Sequence, residues 1–323
     1  RVTSLLRPSV LLLPLLLCFW GAHLPAQEEP RILGFPNPTV RAGLGVGFQN
    51  ISFNLGDTQL SHDYISVSPN TPLHFLLGAG WQRVGLALRF NLPVTDDDVE
   101  ERGVTQFIDF QFQFHRDRFA LDLLYQTHDG MYVDNPDDFD EAFATVKLPN
   151  FSLQTVGANG FFSANPNYSL AAAYRLNARV PRSVASLIWI GTLSRIWLEG
   201  PGGPARGIPV AKESDAHESV FFTASTVSGG VGGAATVQVG HFFLSPLLGF
   251  TIGPQWVDYE SVGESGTRLA VAPQILLRFS LGYNGDRLFA AFIQSADLRN
   301  VRVPKIDATQ GSFLLEFVVG TRF

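Results

Sequence analysis

Cysteine is nearly absent: the 323 residues contain one, Cys18, and a single methionine, Met131. Cys18 falls in an N-terminal segment laid out like an export leader. The remainder, residues 27–323, therefore has no thiol for a disulfide, a nucleophile or a cysteine-based zinc site. Charge is scarce too. Only 16% of residues are charged, against roughly a quarter in an ordinary soluble domain. The net charge of −6 leaves no bulk attraction for phosphate backbones and argues against a nucleic-acid partner. Long apolar runs are also missing, although 46% of the residues are hydrophobic and mean hydropathy is +0.13. The chain is too oily for disorder, yet shows no set of transmembrane helices.

The leader reads in order. Arg1 and Arg7 precede the uncharged run Val10 to Trp20, which is short for spanning roughly 30 Å of hydrocarbon as a helix. Gly21 and Leu24-Pro25-Ala26 follow, so a secretory signal over residues 1–26 is expected, cut between Ala26 and Gln27. Leu17 stands before Cys18 where a lipidated cysteine needs a small residue, which argues against a lipoprotein.

In the rest of the chain the hydrophobic period is two. Ile108, Phe110, Phe112 and Phe114 alternate with Asp109, Gln111, Gln113 and His115. Phe119, Leu121, Leu123 and Tyr125 oppose Ala120, Asp122 and Gln126; Val84, Leu86, Leu88 and Phe90 oppose Gly85, Ala87 and Arg89. Ile275 to Tyr283 repeats the pattern, and Leu44, Val46 and Phe48 alternate with Gly43, Gly45 and Gly47. Successive strand side chains point to opposite faces, so each segment has one apolar and one polar or small face. Turn residues separate the segments, with Asn284-Gly285 a type I′ hairpin signal. The charge-free stretch Ser219 to Val257 is long enough for a membrane helix, but its Gly229–Gly233 cluster, Pro246 and Pro254 favour two strands meeting near Gly240.

Alternating antiparallel strands suit either a soluble sandwich or a membrane barrel with apolar residues outward. Repeated phenylalanine faces would overfill a small soluble barrel. The expected fold is an all-β transmembrane antiparallel up-and-down β-barrel of about 12 strands, within two either way, forming one domain over residues 27–323. Arg89, Asp109, Gln111, Gln113, Asp122, Arg175, Arg278 and Glu316 are expected to form a polar network in the lumen. Trp81, Trp197, Trp256, Tyr125, Tyr132, Tyr259 and Tyr283 fall near strand ends, where aromatic girdles lie. Strand directions do not close between Asn150 and Trp197, where one strand is merged or missed.

The chain ends in Phe313, Leu315, Phe317, Val319, Thr321 and Phe323 on alternate positions. This resembles the C-terminal signal strand of bacterial outer-membrane barrels, which implies recognition by the barrel-assembly machinery after escort by periplasmic chaperones. Outer-membrane lipid and lipopolysaccharide are then the surrounding partners, and the bacterial outer membrane the location.

Evidence of chemistry is thin. The acidic runs Asp96 to Glu101 and Asp134 to Glu141 lack the spacing of a calcium loop and read as solvated loop charge, so no metal or other cofactor is expected. A lipid-active enzyme at the barrel rim is the alternative function. The His-x-Ser-Asn segment of lipid-cleaving barrels does not occur. His115 and Asp122 face each other across a tight turn as either a polar pair or part of a triad. A non-enzymatic role as a narrow or plugged channel, or as a structural surface protein, is expected.

Val84 to Pro93, Gly103 to Asp109, Tyr125 to Val133 with its Asp129-Gly130-Met131-Tyr132 core, Asn167-Tyr168-Ser169, Arg182 to Ser186, Gly282-Tyr283-Asn284 and Thr321-Arg322-Phe323 together resemble an uncharacterised outer-membrane family, domain of unknown function four-four-two-one. Val184-Ala185 replaces that family's Ala-Gly pair. The resemblance covers most of residues 60 to 323 and implies a bacterial outer-membrane barrel with no known activity or catalytic residues.

Overall fold

A computed structural model describes residues 33–34, 40–57, 64–71, 73–134, 145–176, 178–179, 183–200, 220–261, 264–303 and 306–323. Ala26 and Gln27, the expected leader cut, lie outside the described residues. The elements in chain order are β1 (Leu33–Gly34), β2 (Val40–Asp57), β3 (Tyr64–Ser68), β4 (Leu73–Trp81), β5 (Val84–Asn91), α1 (Asp96–Arg102), β6 (Gln106–His115), β7 (Phe119–Val133), β8 (Lys147–Ser163), α2 (Leu170–Arg175), β9 (Ala178–Arg179), β10 (Val184–Gly200), β11 (Val220–Val239), β12 (Phe242–Ser261), β13 (Glu264–Asn284), β14 (Leu288–Val303) and β15 (Ile306–Arg322).

Thirteen of these strands form one antiparallel sheet, and β1 pairs separately with β9. The sheet closes where β15 pairs with β2, from Arg322 opposite Arg41 to Ile306 opposite Asp57. Closure leaves no free edge, as a lipid-embedded sheet requires. The strand that the sequence leaves uncounted is resolved as two long strands, β8 and β10, joined through α2.

The ring changes width along its axis. Near the termini β2 pairs with β4, which is followed by β5, β6 and β7; further up, β2 pairs with β3, and β3 directly with β7. Hairpin β5–β6 thus widens only the terminal half. A β-bulge between Asp129 and Met131 carries β7 across this step, with Gly130 at φ +89°. A Cβ on Gly130 would stand 2.3 Å from the Val104 carbonyl oxygen, so only glycine fits.

At the terminal end Gln82 and Arg83 join β4 to β5, and Gly240, at φ +60°, helps join β11 to β12, whereas the connection from β8 to β10 is long and carries α2. The β13–β14 hairpin also forms, but not as a type I′ turn. Gly285 keeps a negative φ and donates its N–H to the Leu288 carbonyl at 3.0 Å. The opposite end carries two-residue turns from β12 to β13 and from β14 to β15 beside longer connections, among them the one with α1. The first acidic run is therefore a helix rather than a loop: the Thr95 hydroxyl accepts from the Asp98 N–H at 3.2 Å and donates to its carboxylate at 2.6 Å.

The outer surface is a band of exposed apolar side chains, among them Leu44, Val46, Leu86, Leu88, Ile108, Phe110, Phe250, Ile275, Phe317 and Val319. Trp81, Trp189, Phe242, Tyr283 and Phe323 edge it at the terminal end, and Tyr125 and Trp256 at the other. The outward positions of β10 from Leu187 to Trp197 cover about 33 Å of strand, or roughly 25 Å of height at a 40° tilt. That height spans the hydrocarbon layer and reaches the interface at Arg195 and Trp197.

Beyond this band the apolar residues change sides. On β2, outward Leu44, Val46 and Phe48 give way to buried Ile51 and Phe53; on β10, outward Leu187, Trp189 and Leu193 give way to buried Ile196 and Leu198. The inward set packs with Val67, Met131, Val133, Phe151, Leu153, Phe222, Val257 and Val301 into a dry cluster that fills the loop end. Tyr259 packs against this cluster instead of facing lipid in a girdle.

Candidate functional site

Both ends of the lumen are filled. At the terminal end, α2 lies within the ring. The Ser169 hydroxyl caps it by accepting from the Ala172 N–H at 3.1 Å, and Leu176 stops it in the left-handed region at φ 56°. Leu170, Ala173 and Tyr168 pack on Phe161, Ile188, Ile190 and Leu247, while the Ser280 hydroxyl donates to the Ala173 carbonyl at 2.5 Å. Arg322, near the end of the chain, donates to the carbonyls of Gly285 and Leu176 and to the Asn284 side chain, tying the segment after α2 to β15.

Between helix and dry cluster lies a polar layer around a cavity of about 240 Å³. Its strongest feature is on β4, β5, β6, β7 and β15. Arg89 grips Glu316 with two donors, Nε to Oε1 at 2.6 Å and Nη2 to Oε2 at 2.9 Å, and reaches Asp109 at 3.3 Å. His74 Nε2 lies 3.1 Å from Glu316 Oε1; Gln126 and Gln111 donate to the second Asp109 oxygen at 2.6 and 3.3 Å. Arg89, Asp109 and Glu316 are at most 5% exposed, so each is held by its partners rather than by water.

The glycines of β2 make this meeting possible. Gly47 pairs with Glu316 on one side and His74 on the other. A Cβ there would stand 2.6 Å from the His74 imidazole and 2.5 Å from the Leu315 carbonyl oxygen. With no side chain on the intervening strand, histidine and glutamate touch across it.

A second set spans the lumen. Asp122 binds His115 Nε2 through one oxygen and Arg278 Nη1 through the other, both at 2.6 Å, and Arg278 lies over the Phe161 ring at 4.3 Å. A third runs across β10 to β14: Thr192 meets Ser228 and Gln274, Gln274 donates to both Asp297 oxygens at 2.8 and 2.9 Å, and Arg299 holds Asp297.

Of the residues expected in the lumen, Arg89, Asp109, Gln111, Asp122, Arg278 and Glu316 join these sets, and Gln113 lines the cavity. Arg175 is placed on α2 rather than on a strand. Alternation puts Gln126 and Gln274 on polar strand faces without naming them in the network, and His74 and Asp297 were missed. All four occupy inward strand positions, whereas their partners depend on register. Asp122 is taken up by His115 and Arg278, an arrangement that faces inward, away from any lipid substrate at the rim. His217 and Ser219, followed by Val220 rather than Asn, lie outside the described residues. The described residues hold no cluster of three metal-ligating side chains.

A closed antiparallel ring with an apolar outer band and a polar, side-chain-filled interior defines a transmembrane β-barrel. The chain belongs to the family described as domain of unknown function, DUF4421, whose model matches residues 49–323. Among solved structures, the outer-membrane protease OmpT of Escherichia coli is similar at 7% identity and a TM-score of 0.43, over 91% of this chain and 99% of that one. The toluene transporter TodX of Pseudomonas putida follows at 8% and 0.30, over 89% of each chain. The attachment invasion locus protein Ail of Yersinia pestis gives 8% and 0.21, over 90% and 100%. No role is carried over from any of them. No curated protein matches the chain.

Proposed function

We propose that this is an integral protein of the bacterial outer membrane, an occluded β-barrel with no enzymatic role, exported by a leader cut after Ala26. Its C-terminal strand is offered to the barrel-assembly machinery after periplasmic chaperones deliver the chain, and lipid and lipopolysaccharide surround the finished barrel. The observation that carries this reading is the lumen. A dry cluster around Phe53, Phe151 and Phe222 fills one end and α2 the other, with about 240 Å³ of polar cavity between them. Interior carboxylates are matched by arginines instead of being left free to select ions, which suits a plug or a closed gate better than a standing pore.

Two measurements test it. The protein in outer-membrane fractions is expected to migrate faster on gels before heating than after, because a closed barrel resists detergent unfolding. Purified protein in planar bilayers is expected to show no sustained conductance, and persistent discrete current steps from the unmodified chain would overturn the occlusion.

A further inference from the structure

Most charged side chains within the apolar band's span point inward and are paired. Arg195 does not. On β10 its neighbours Ser194 and Ile196 are buried in the lumen, so alternation turns Arg195 outward, toward lipid. Leu193 is the last outward aliphatic residue of that strand and Ile196 the first of the dry interior cluster. Arg195 therefore occupies the level where the outer surface passes from hydrocarbon to water. Its cross-strand row says the same: Val156 and Tyr125 on one side, Ser225 and Trp256 on the other. The guanidinium lies over Trp197 at 4.9 Å. Its Nε is buried without a hydrogen-bond partner, and no carboxylate among the described residues pairs with it.

We propose that Arg195 and Trp197 form a binding site for a phosphate of the outer-leaflet glycolipid, lipopolysaccharide. An unpaired cation facing hydrocarbon is costly in a barrel and becomes tolerable at the interface. Stacking on Trp197 fixes the guanidinium plane and leaves its donor edges free, and a planar fork of N–H donors is matched by phosphate oxygens. The site is on the half away from the termini. In a barrel whose termini face the periplasm this half meets the outer leaflet, where the anionic headgroup is that of lipopolysaccharide. The Ser225 hydroxyl, directly across from Arg195, adds a donor to the same row. This inference rests on the outer-membrane reading above.

The test is native mass spectrometry of the full protein extracted from outer membranes in mild detergent, with rebinding of purified lipopolysaccharide to delipidated barrel. Arg195→Gln is expected to lower bound lipopolysaccharide by about tenfold or more, Arg195→Lys by less, and Trp197→Leu to fall between them. Phosphatidylglycerol vesicles serve as the competing source of phosphate. Unchanged lipopolysaccharide occupancy in Arg195→Gln overturns the site, as does equal displacement by phosphatidylglycerol, or an Arg195-dependent dimer in place of bound lipid. Heat-dependent gel migration of each variant reports folding. If Arg195→Gln fails to fold, Arg195→Met and Trp197→Leu carry the comparison. Absence of the wild-type protein from the outer membrane would defeat the location itself, whereas a correctly placed barrel with unaltered lipid defeats this inference alone.

Discussion

Replacing Arg89 by alanine removes the cation that holds two buried carboxylates. In the folded barrel it supplies two bonds to Glu316, at 2.6 and 2.9 Å, and one to Asp109 at 3.3 Å. Glu316 would keep His74 and Asp109 would keep Gln126 and Gln111, but two anions with almost no exposed surface would remain without their cation. Breaking a buried pair by deleting one partner costs about 3–5 kcal/mol, and these residual hydrogen bonds place Arg89→Ala toward the lower half of that range. Urea unfolding of the barrel in lipid vesicles measures the loss. The triple variant Arg89→Met, Asp109→Asn, Glu316→Leu removes both anions with the cation and is expected to return within about 1.5 kcal/mol of wild type. A loss below about 1 kcal/mol in the single variant, or a triple variant no better than the single, would show that water reaches this cluster and would refute the reasoning.

Gly47→Ala is expected to cost about 1–3 kcal/mol by overpacking against His74 and the Leu315 carbonyl. Its signature is a change in the His74 imidazole NMR signals that Gly43→Ala, whose Cβ would have 3.4 Å of clearance, does not produce. His128 is buried with both ring nitrogens unpartnered and stacks on Phe107 at 4.8 Å. His128→Leu is therefore expected to stabilise the barrel by about 1 kcal/mol in urea unfolding, since an unsatisfied buried polar group is removed, and destabilisation of that size would mean His128 has a partner. Deleting Phe323, which donates its N–H to the Val40 carbonyl at 3.0 Å and exposes its ring at the lipid boundary, should lower the yield of heat-modifiable barrel in cells. Undiminished yield would remove Phe323 from any role in assembly.

The barrel was legible because alternation states, residue by residue, which face meets lipid: Ile108, Phe110, Leu86, Leu88, Phe317 and Val319 all point where the pattern places them. Tyr259 was misplaced because alternation alone does not reveal where the outer solvent changes from lipid to water. Beyond that level an aromatic ring gains more by turning inward. The plug was hidden because Leu170 to Arg175 is a turn and a half of helix, too short to display a period. The cap on α1 is visible in Thr95 and Asp98, but a run of carboxylates reads as solvated charge as readily as a helix start. Asp122 with His115 could be read across a tight turn; Arg89 with Glu316, 227 positions apart, needed the register of the closed ring. The change in ring width turns on a five-residue strand, Tyr64–Ser68, and one bulge at Gly130, neither of which alters the hydrophobic period.

The strand that closes the ring is also the one that brings a second carboxylate to Arg89. Until β15 docks on β2, Arg89 and His74 have no Glu316, and the segment after α2 has no Arg322 to hold it. An unzipped intermediate would carry a hydrated interior, with Arg89 held by Asp109 alone, and a loose helix. Docking of β15 would then pair the charges, lock the plug and seal the seam in a single event. Such a chain has little to gain from partial closure. Its route into the membrane ends in a commitment step that is difficult to reverse without pulling all three apart together.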